Sequence, residues 1–335
     1  MEDQMNLQGR IRIATLVAAI SLLLSAGVAR AQSTAEGSFG RTLNVSSGTV
    51  DLDVKTGSGS INVRTGAAGA VQISAKIKAR DSWRGSLSAE EKVRRIESNP
   101  PIAQTGNIIR IGQIEDRELL NNVSISYELV VPVDTKLRGH SGSGSVLADG
   151  VRGPVEAGTG SGEVTLSNIT GEVRASTGSG EIVLNSIQGL VRANTGSGSI
   201  RARGVSGAFN GSTGSGDVEV QQSGAGDVDA ETGSGSIDVS GVRGGVSVRT
   251  GSGSIRAEGE MKGNWRLHTS SGSVTVRLAQ GAAFDLAART SSGSIQTAHP
   301  ITVQGTIGRR ALNGKVRGGG PLLDVSTSSG SIHIE

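Results

Sequence analysis

The sequence predicts an all-β fold, a single-stranded parallel β-helix (β-solenoid) with about 18 residues per coil and a short helical insertion. Three observations lead there. A six-residue pattern of the form Thr195-Gly196-Ser197-Gly198-Ser199-Ile200 begins at Thr56, Ser141, Thr159, Thr177, Thr195, Thr213, Thr232 and Thr250, and returns as Thr-Ser-Ser-Gly at Thr269, Thr290 and Thr327. From Ser141 to Thr269 the steps are 18, 18, 18, 18, 19, 18 and 19 residues, a period short enough for one supersecondary unit per copy. Between the glycine-rich corners, apolar residues alternate with polar ones as they do in half-buried strands.

Taken in order, Arg10 and Arg12 precede an uncharged run from Ile13 to Ala29, and Ala29-Arg30-Ala31 has the small-x-small form of a signal-peptidase site. Residues 1–31 therefore read as a secretory signal cleaved before Gln32, the alternative being an uncleaved anchor at the short end for a bilayer span. No second apolar span follows, so no stable membrane span is expected after cleavage; without cysteine there is also no residue for a lipoprotein anchor. Residues 32–138 read as N-terminal coils with a helical insertion or cap. Strand alternation runs through Leu43, Val45, Val50, Leu52, Val54, Ile61, Val63, Val71, Ile73, Ala75 and Ile77. Ser88 to Ile96 then has capping-box spacing from Ser88 to Glu91 and one apolar face, which predicts a short helix ending before Asn99-Pro100-Pro101. Val123 to Val131 returns to strand, closed by Pro132.

Residues 139–335 read as the regular solenoid with a C-terminal cap. With the motif Thr as position 1, position 6 is Val146, Val164, Ile182, Ile200, Val218, Ile237 and Ile255; position 8 is likewise apolar, as are positions 11 and 15 where the copy is unbroken, and all should face inward. Each copy holds two strands and two turns and cannot bury its apolar face alone. Stacking buries it. The motif threonines lie on the inner side, where they could hydrogen-bond to one another along the stack. Gly and Ser follow them where neighbouring corners lie about 4.8 Å apart. One antiparallel hairpin per repeat is the alternative arrangement. Residues 299–326 break the period before Thr327 to Ile334 supplies a last strand.

Composition narrows function more than it assigns it. Three Phe, two Trp and one Tyr cannot build a thick core, while abundant Val, Ile, Leu and Ala suit a thin one. Basic and acidic residues nearly balance, 33 against 30, so no nucleic-acid partner is expected. His140, His268, His299 and His333 are scattered without ligand spacing, so neither a metal nor another cofactor is expected. The Gly-Ser-Gly turns are not phosphate loops, and no Gly-x-Ser-x-Gly elbow occurs.

The strand Val123 to Val131 with Pro132, the Thr-Gly-Ser-Gly-Ser/Glu/Asp-Ile/Val copies and the closing Gly318-Gly319-Gly320 to Ile332 resemble the bacterial β-strand-repeat domain of unknown function labelled "putative adhesin", over roughly residues 39–335. The resemblance implies an exported or envelope-associated right-handed β-helix without assigned catalytic residues.

The chemistry-bearing residues point outward. Position 5 reads Ser145, Glu163, Glu181, Ser199, Asp217, Ser236 and Ser254, with Arg174 and Arg192 available as counter-charges; Glu163, Glu181, Asp217, Arg174 and Arg192 form the candidate binding face. Glu163 and Glu181 on adjacent coils also approach the carboxyl spacing of retaining glycosidases, which raises a polysaccharide-active enzyme as one reading. Solvent-exposed carboxylates at ordinary acidity favour the non-enzymatic reading. Asp51 and Asp53 flank Leu52 on one outward face and read as solvated. The sequence thus leads to an exported, adhesin-like protein in the periplasm, at the envelope or outside the cell, whose partner is a glycan, an envelope component or a protein. A scaffold without a specific ligand is the first alternative and the enzyme the second.

Overall fold

The computed structural model describes residues 33–81, 87–303 and 308–335. The signal segment lies outside them. Each coil contributes one strand to each of two facing sheets, one of 14 strands and one of 15. The repeat is therefore a two-sided parallel solenoid, roughly 60 Å along the stack at the usual strand spacing. Residue for residue, Val164 lies over Ile182 and Leu166 over Leu184 in the first sheet, and Val173 lies over Val191 and Thr177 over Thr195 in the second. The apolar positions read from the sequence fill the gap between the sheets: Val164, Leu166, Ile169, Val173, Ile182, Leu184, Ile187 and Val191 are all fully buried. Position 17 is Ala157, Ala175 and Ala193 in consecutive coils, which keeps the core thin. Where Phe209 replaces valine at position 15, Gly211 replaces that alanine, because a Cβ there would sit 2.6 Å from the Phe209 ring.

The motif Thr-Gly-Ser-Gly follows from one crowded atom. Thr195 is buried, its Oγ1 donates to the Gly180 carbonyl of the preceding coil at 3.0 Å, and it accepts the Gly198 amide of its own coil at 3.1 Å. A Cβ on Gly198 would collide with that same Gly180 carbonyl. The bond to the preceding coil repeats at Thr159 with Gly144, Thr177 with Gly162, Thr213 with Gly198, Thr250 with Gly235 and Thr269 with Gly253. The bond from the coil's own amide repeats at Thr159, Thr177 and Thr213, whereas the Gly253 and Gly272 amides donate to the next coil. The threonines therefore bond to backbone and not, as the sequence suggested, to one another: each of these stitches two coils, and Thr159, Thr177, Thr195 and Thr213 also close their own corners. Thr195→Val, which keeps shape and removes the hydroxyl, leaves a buried carbonyl and amide unpaired and is expected to cost about 2 kcal/mol. Thr195→Ser is expected to recover most of that, read by chemical denaturation of the two variants.

A second recurrent feature was not apparent in the sequence. Position 10 is Gly150, Asn168, Ser186, Gly204 and Gly241, all with φ between 54° and 79°. This left-handed residue turns position 11 back into the core. Ser186 is exposed and gains nothing there from its Cβ, so Ser186→Gly is expected to stabilise the protein by about 0.5 kcal/mol. Gly204→Val is expected to cost about 2 kcal/mol. Melting curves of the two variants against the parent check both signs.

Spatial order departs from chain order at both ends. Strands β1 (Thr34–Asn44), β2 (Val50–Thr56), β3 (Ile61–Thr65) and β4 (Ala70–Arg80) are followed by helix α1 (Ala89–Ser98), β5 (Ile102–Thr105), β6 (Ile108–Ile111), the short helix α2 (Arg117–Leu120), β7 (Val123–Val131), β8 (Thr135–Ser141) and β9 (Val146–Asp149). The coil of β2 and β3 stacks under that of β8 and β9, yet the coil of β6 and β7, later in sequence, lies on its other side. Antiparallel β4 and β1 extend the first sheet beyond β7, and antiparallel β5 closes the second. Likewise Leu322–Ser329 and Ile332–Ile334 slot between the coils of Trp265–Leu278 and Phe284–Thr297. The last strands in sequence thus lie inside the stack, and antiparallel Ala311–Val316 and Ile301–Thr302 form the outer layer of the second sheet. Free strand edges invite further pairing. At β1 three side chains occupy edge groups: the Ser38 amide donates to Glu97 Oε1 at 2.8 Å, Arg41 to the Gly40 carbonyl at 2.9 Å and Gln104 to the Asn44 carbonyl at 2.8 Å.

Helix α1 forms where the sequence placed it. Ser88 Oγ accepts the Glu91 amide at 3.2 Å, as a capping box requires, but the Glu91 carboxylate turns to Arg95 at 2.8 Å instead of reaching back to the cap. Asp81 supplies further capping: it accepts Ser33 Oγ at 2.5 Å and the Ala89 amide at 2.7 Å, and these bonds hold its carboxyl below the usual acidity range. Val93 and Ile96 pack inward. Lys92 is fully buried, with Nζ donating to the Asn121 carbonyl at 2.8 Å.

Candidate functional site

Because successive residues of a strand alternate between faces, every coil displays polar side chains on both outer surfaces in register with its neighbours. The candidate residues divide between those surfaces. Glu163 and Glu181 sit at position 5 on adjacent coils of the first sheet, joined through the backbone by the Val164 amide and the Glu181 carbonyl at 3.0 Å. Asp217 lies in the same column beyond Ser199. Arg174 and Arg192 project from the second sheet, where both pair with Glu172, Arg174 at 2.8 Å. The counter-charge anticipated for Glu181 comes instead from Arg201 on the next coil of its own sheet, and Glu163 accepts a hydrogen bond from Thr165.

Position 5 also has a structural duty that the sequence did not show. Asp217 Oδ1 accepts the Ser236 amide at 2.8 Å, Ser199 Oγ accepts the Asp217 amide at 3.2 Å, and Ser273 Oγ accepts the Ser331 amide at 3.3 Å. The hydroxyl or carboxylate of one coil thus caps an amide of the next at the point where the corner enters the strand. Short acceptors at this position make that bond, which accounts for much of its Ser and Asp content without any ligand.

The remaining polar residues form local pairs. Asp51 meets Arg138 at 2.7 Å, and Asp53 lies 3.9 Å from both Arg138 and Lys55, so the two carboxylates read as solvated are ion-paired across coils. His140 Nε2 approaches Glu156 at 3.8 Å. His268 Nδ1 and Ser326 Oγ are 2.8 Å apart on the second sheet. His299 is buried edge-on against Phe284, with ring centroids 5.6 Å apart. No group of three or more His, Cys, Asp or Glu that could hold a metal ion occurs among the described residues. The surface depressions are open. One of about 530 Å³ lies between the C-terminal turn of α1 and residues 113–119, lined by Ile96, Pro101, Ile114 and Leu119.

Comparison with known proteins gives matches of two kinds, to solved structures and to a family model. Two solved structures are similar. One is of a "putative cell adhesion protein" from Clostridium sporogenes ATCC 15579, 11% identical, with 90% of this chain and 99% of that chain covered and a TM-score of 0.19. The other is of a "putative adhesin" from Bacteroides fragilis NCTC 9343, 13% identical, with 89% and 97% covered and a TM-score of 0.35. No curated protein matches the chain. Residues 191–335 match the family model described as Toastrack DUF4097, a stretch that includes the later Thr-Gly-Ser-Gly copies and the closing Gly318-Gly319-Gly320 to Ile332.

Proposed function

We propose that this protein is an exported, non-enzymatic, adhesin-like binder of an extended partner. The observation that carries the reading is the register of the outer faces: polar groups recur once per coil, in line, along a stack roughly 60 Å long. A partner that repeats at a similar interval meets the same groups many times, and many weak contacts then act together. Export rests on the signal-like residues 1–31 and places the protein in the periplasm, at the envelope or outside the cell. Glu163 and Glu181 on one sheet, and Arg174 and Arg192 on the other, stand as separate contact rows. The pairing of Glu181 with Arg201, and of Glu163 with Thr165, favours contact over acid catalysis, because both carboxylates already accept hydrogen bonds or charge.

The test is retention of the purified chain on an array of bacterial and host glycans at low and high salt, since exposed charges alone bind weakly and are screened. Retention on one glycan class at both salt concentrations supports the reading. Release of reducing ends from a retained glycan, lost in Glu163→Gln, would replace it with the enzyme.

A further inference from the structure

On the second sheet, Arg249, His268, Ser326 and Arg289 occupy the same outward position on four consecutive coils. Arg249 lies opposite His268, His268 opposite Ser326, and Ser326 opposite Arg289. Arg266 stands in the neighbouring outward column, between Ser247 and Asp324. Arg249, Arg266, His268 and Arg289 are all exposed. At the usual strand spacing the column from Arg249 to Arg289 is roughly 14 Å long.

This patch differs from most of the regular coils in its charge balance. On the regular coils, Arg138 pairs with Asp51, Arg174 and Arg192 with Glu172, Arg201 with Glu181, Arg203 with Glu219, Arg256 with Asp238 and Arg277 with Glu335. Among the described residues no ion pair is formed by Arg249, Arg266 or Arg289, although Glu231 stands opposite Arg249 and Asp324 opposite Arg266. Glu231 bounds the patch on one side, and Asp324 stands beside Arg266 in its column. The bond between His268 and Ser326 orients the imidazole in the centre; with Ser326 donating to Nδ1, Nε2 carries the proton and presents a further donor.

We propose that Arg249, Arg266, His268 and Arg289 form a binding row for an acidic polysaccharide, the carboxylates of a uronate chain lying along the coil axis. This rests on the reading of the protein as a binder of extended partners and names the class of partner. Guanidinium forks suit planar carboxylates, and cations without an internal partner need no existing pair to be broken. A pyranose unit in an extended chain advances by a distance comparable to one coil, so successive carboxylates can meet successive rows. Nucleic acid fits less well. Binding of single strands relies on exposed aromatic platforms, whereas the aromatic residues among the described ones, Phe39, Tyr127, Phe209, Trp265 and Phe284, are all buried.

The experiment measures affinity of the purified chain for polygalacturonate, neutral dextran and double-stranded DNA by biolayer interferometry. It compares the parent with Arg249→Gln/Arg289→Gln and with Arg256→Gln/Arg277→Gln, which makes the same charge change on the first sheet, where both arginines are ion-paired. Polygalacturonate is expected to bind the parent, to lose about tenfold in the first variant and less than about twofold in the second, with dextran not retained. Equal losses in both variants, or DNA bound as tightly with the same sensitivity, would overturn the assignment. Retention of a neutral glycan that neither variant alters removes this row but leaves the broader binding reading. A parent that retains nothing on this panel or on the glycan array removes both.

Discussion

Gly198→Ala is expected to lower unfolding stability by about 3 kcal/mol, at the upper end of the range for overpacked sites. The added methyl is small, but it points at the backbone carbonyl of Gly180 one coil away, and neither partner can rotate aside. That carbonyl is also the acceptor for Thr195 Oγ1, at 3.0 Å. Relief of the collision therefore separates two coils and strains the bond that joins them. Because neighbouring coils form the only interface each repeat has along the stack, a local displacement weakens the array on both sides. Ser197→Ala, one residue away, is the control: Ser197 is exposed, and its substitution is expected to change stability by less than about 0.5 kcal/mol. Urea midpoints of the two variants followed by circular dichroism separate the outcomes. Equal midpoints would refute the close-approach explanation of the motif.

Trp265→Ala is expected to cost about 4 kcal/mol. Trp265 is the largest fully buried side chain among the described residues, and it lies in register with Val246, which is position 15 of the preceding coil. Its indole Nε1 donates to the Gly244 carbonyl of the second corner at 2.9 Å. The substitution therefore opens a cavity and leaves a buried carbonyl unpaired. The Phe209 coil shows how the fold accommodates a large residue at this position, by reducing position 17 to Gly211. In the Trp265 coil the residue in register with position 17 of the preceding coil, Val248, is Leu267, itself buried, so the two large side chains widen the core together. Trp265→Phe is expected to retain more than half of the lost stability while still forfeiting the indole bond, and thermal unfolding of the two variants measures the division. Similar melting temperatures for Ala and Phe would show that the hydrogen bond, not the volume, is the larger contribution.

Much of the solenoid was legible in the sequence because its signals are local and repeated. Alternation at positions 6, 8, 11, 15 and 17 specifies which face is buried, and the interval between copies specifies that like positions stack. The helix at Ala89–Ser98 was legible for the same reason: Ser88 and the apolar pair Val93 and Ile96 act within a few residues of one another. The candidate site was less legible. Position in a coil tells whether a side chain points outward, but not which cation meets which carboxylate. Arg201, not Arg174 or Arg192, meets Glu181, and the two arginines read as available counter-charges pair with Glu172 on the other sheet.

What the sequence by itself determined is the repeating unit: two strands, two corners, an inner threonine and a bare glycine in each coil. The tertiary structure alone decided the order in which units stack. Nothing local to Val123–Val131 or to Leu322–Glu335 states that these segments enter beside earlier coils out of turn, because every coil presents nearly the same apolar face and backbone edge to any neighbour. It also decided that Thr195 Oγ1 and the Gly198 Cα converge on one carbonyl, and that Arg249, Arg266 and Arg289 share a face without ion-pair partners. The physical reason is the same in each case. Burial follows from a residue's own alternation along its strand, whereas hydrogen bonds and ion pairs between coils depend on residues that become neighbours only after the chain has stacked.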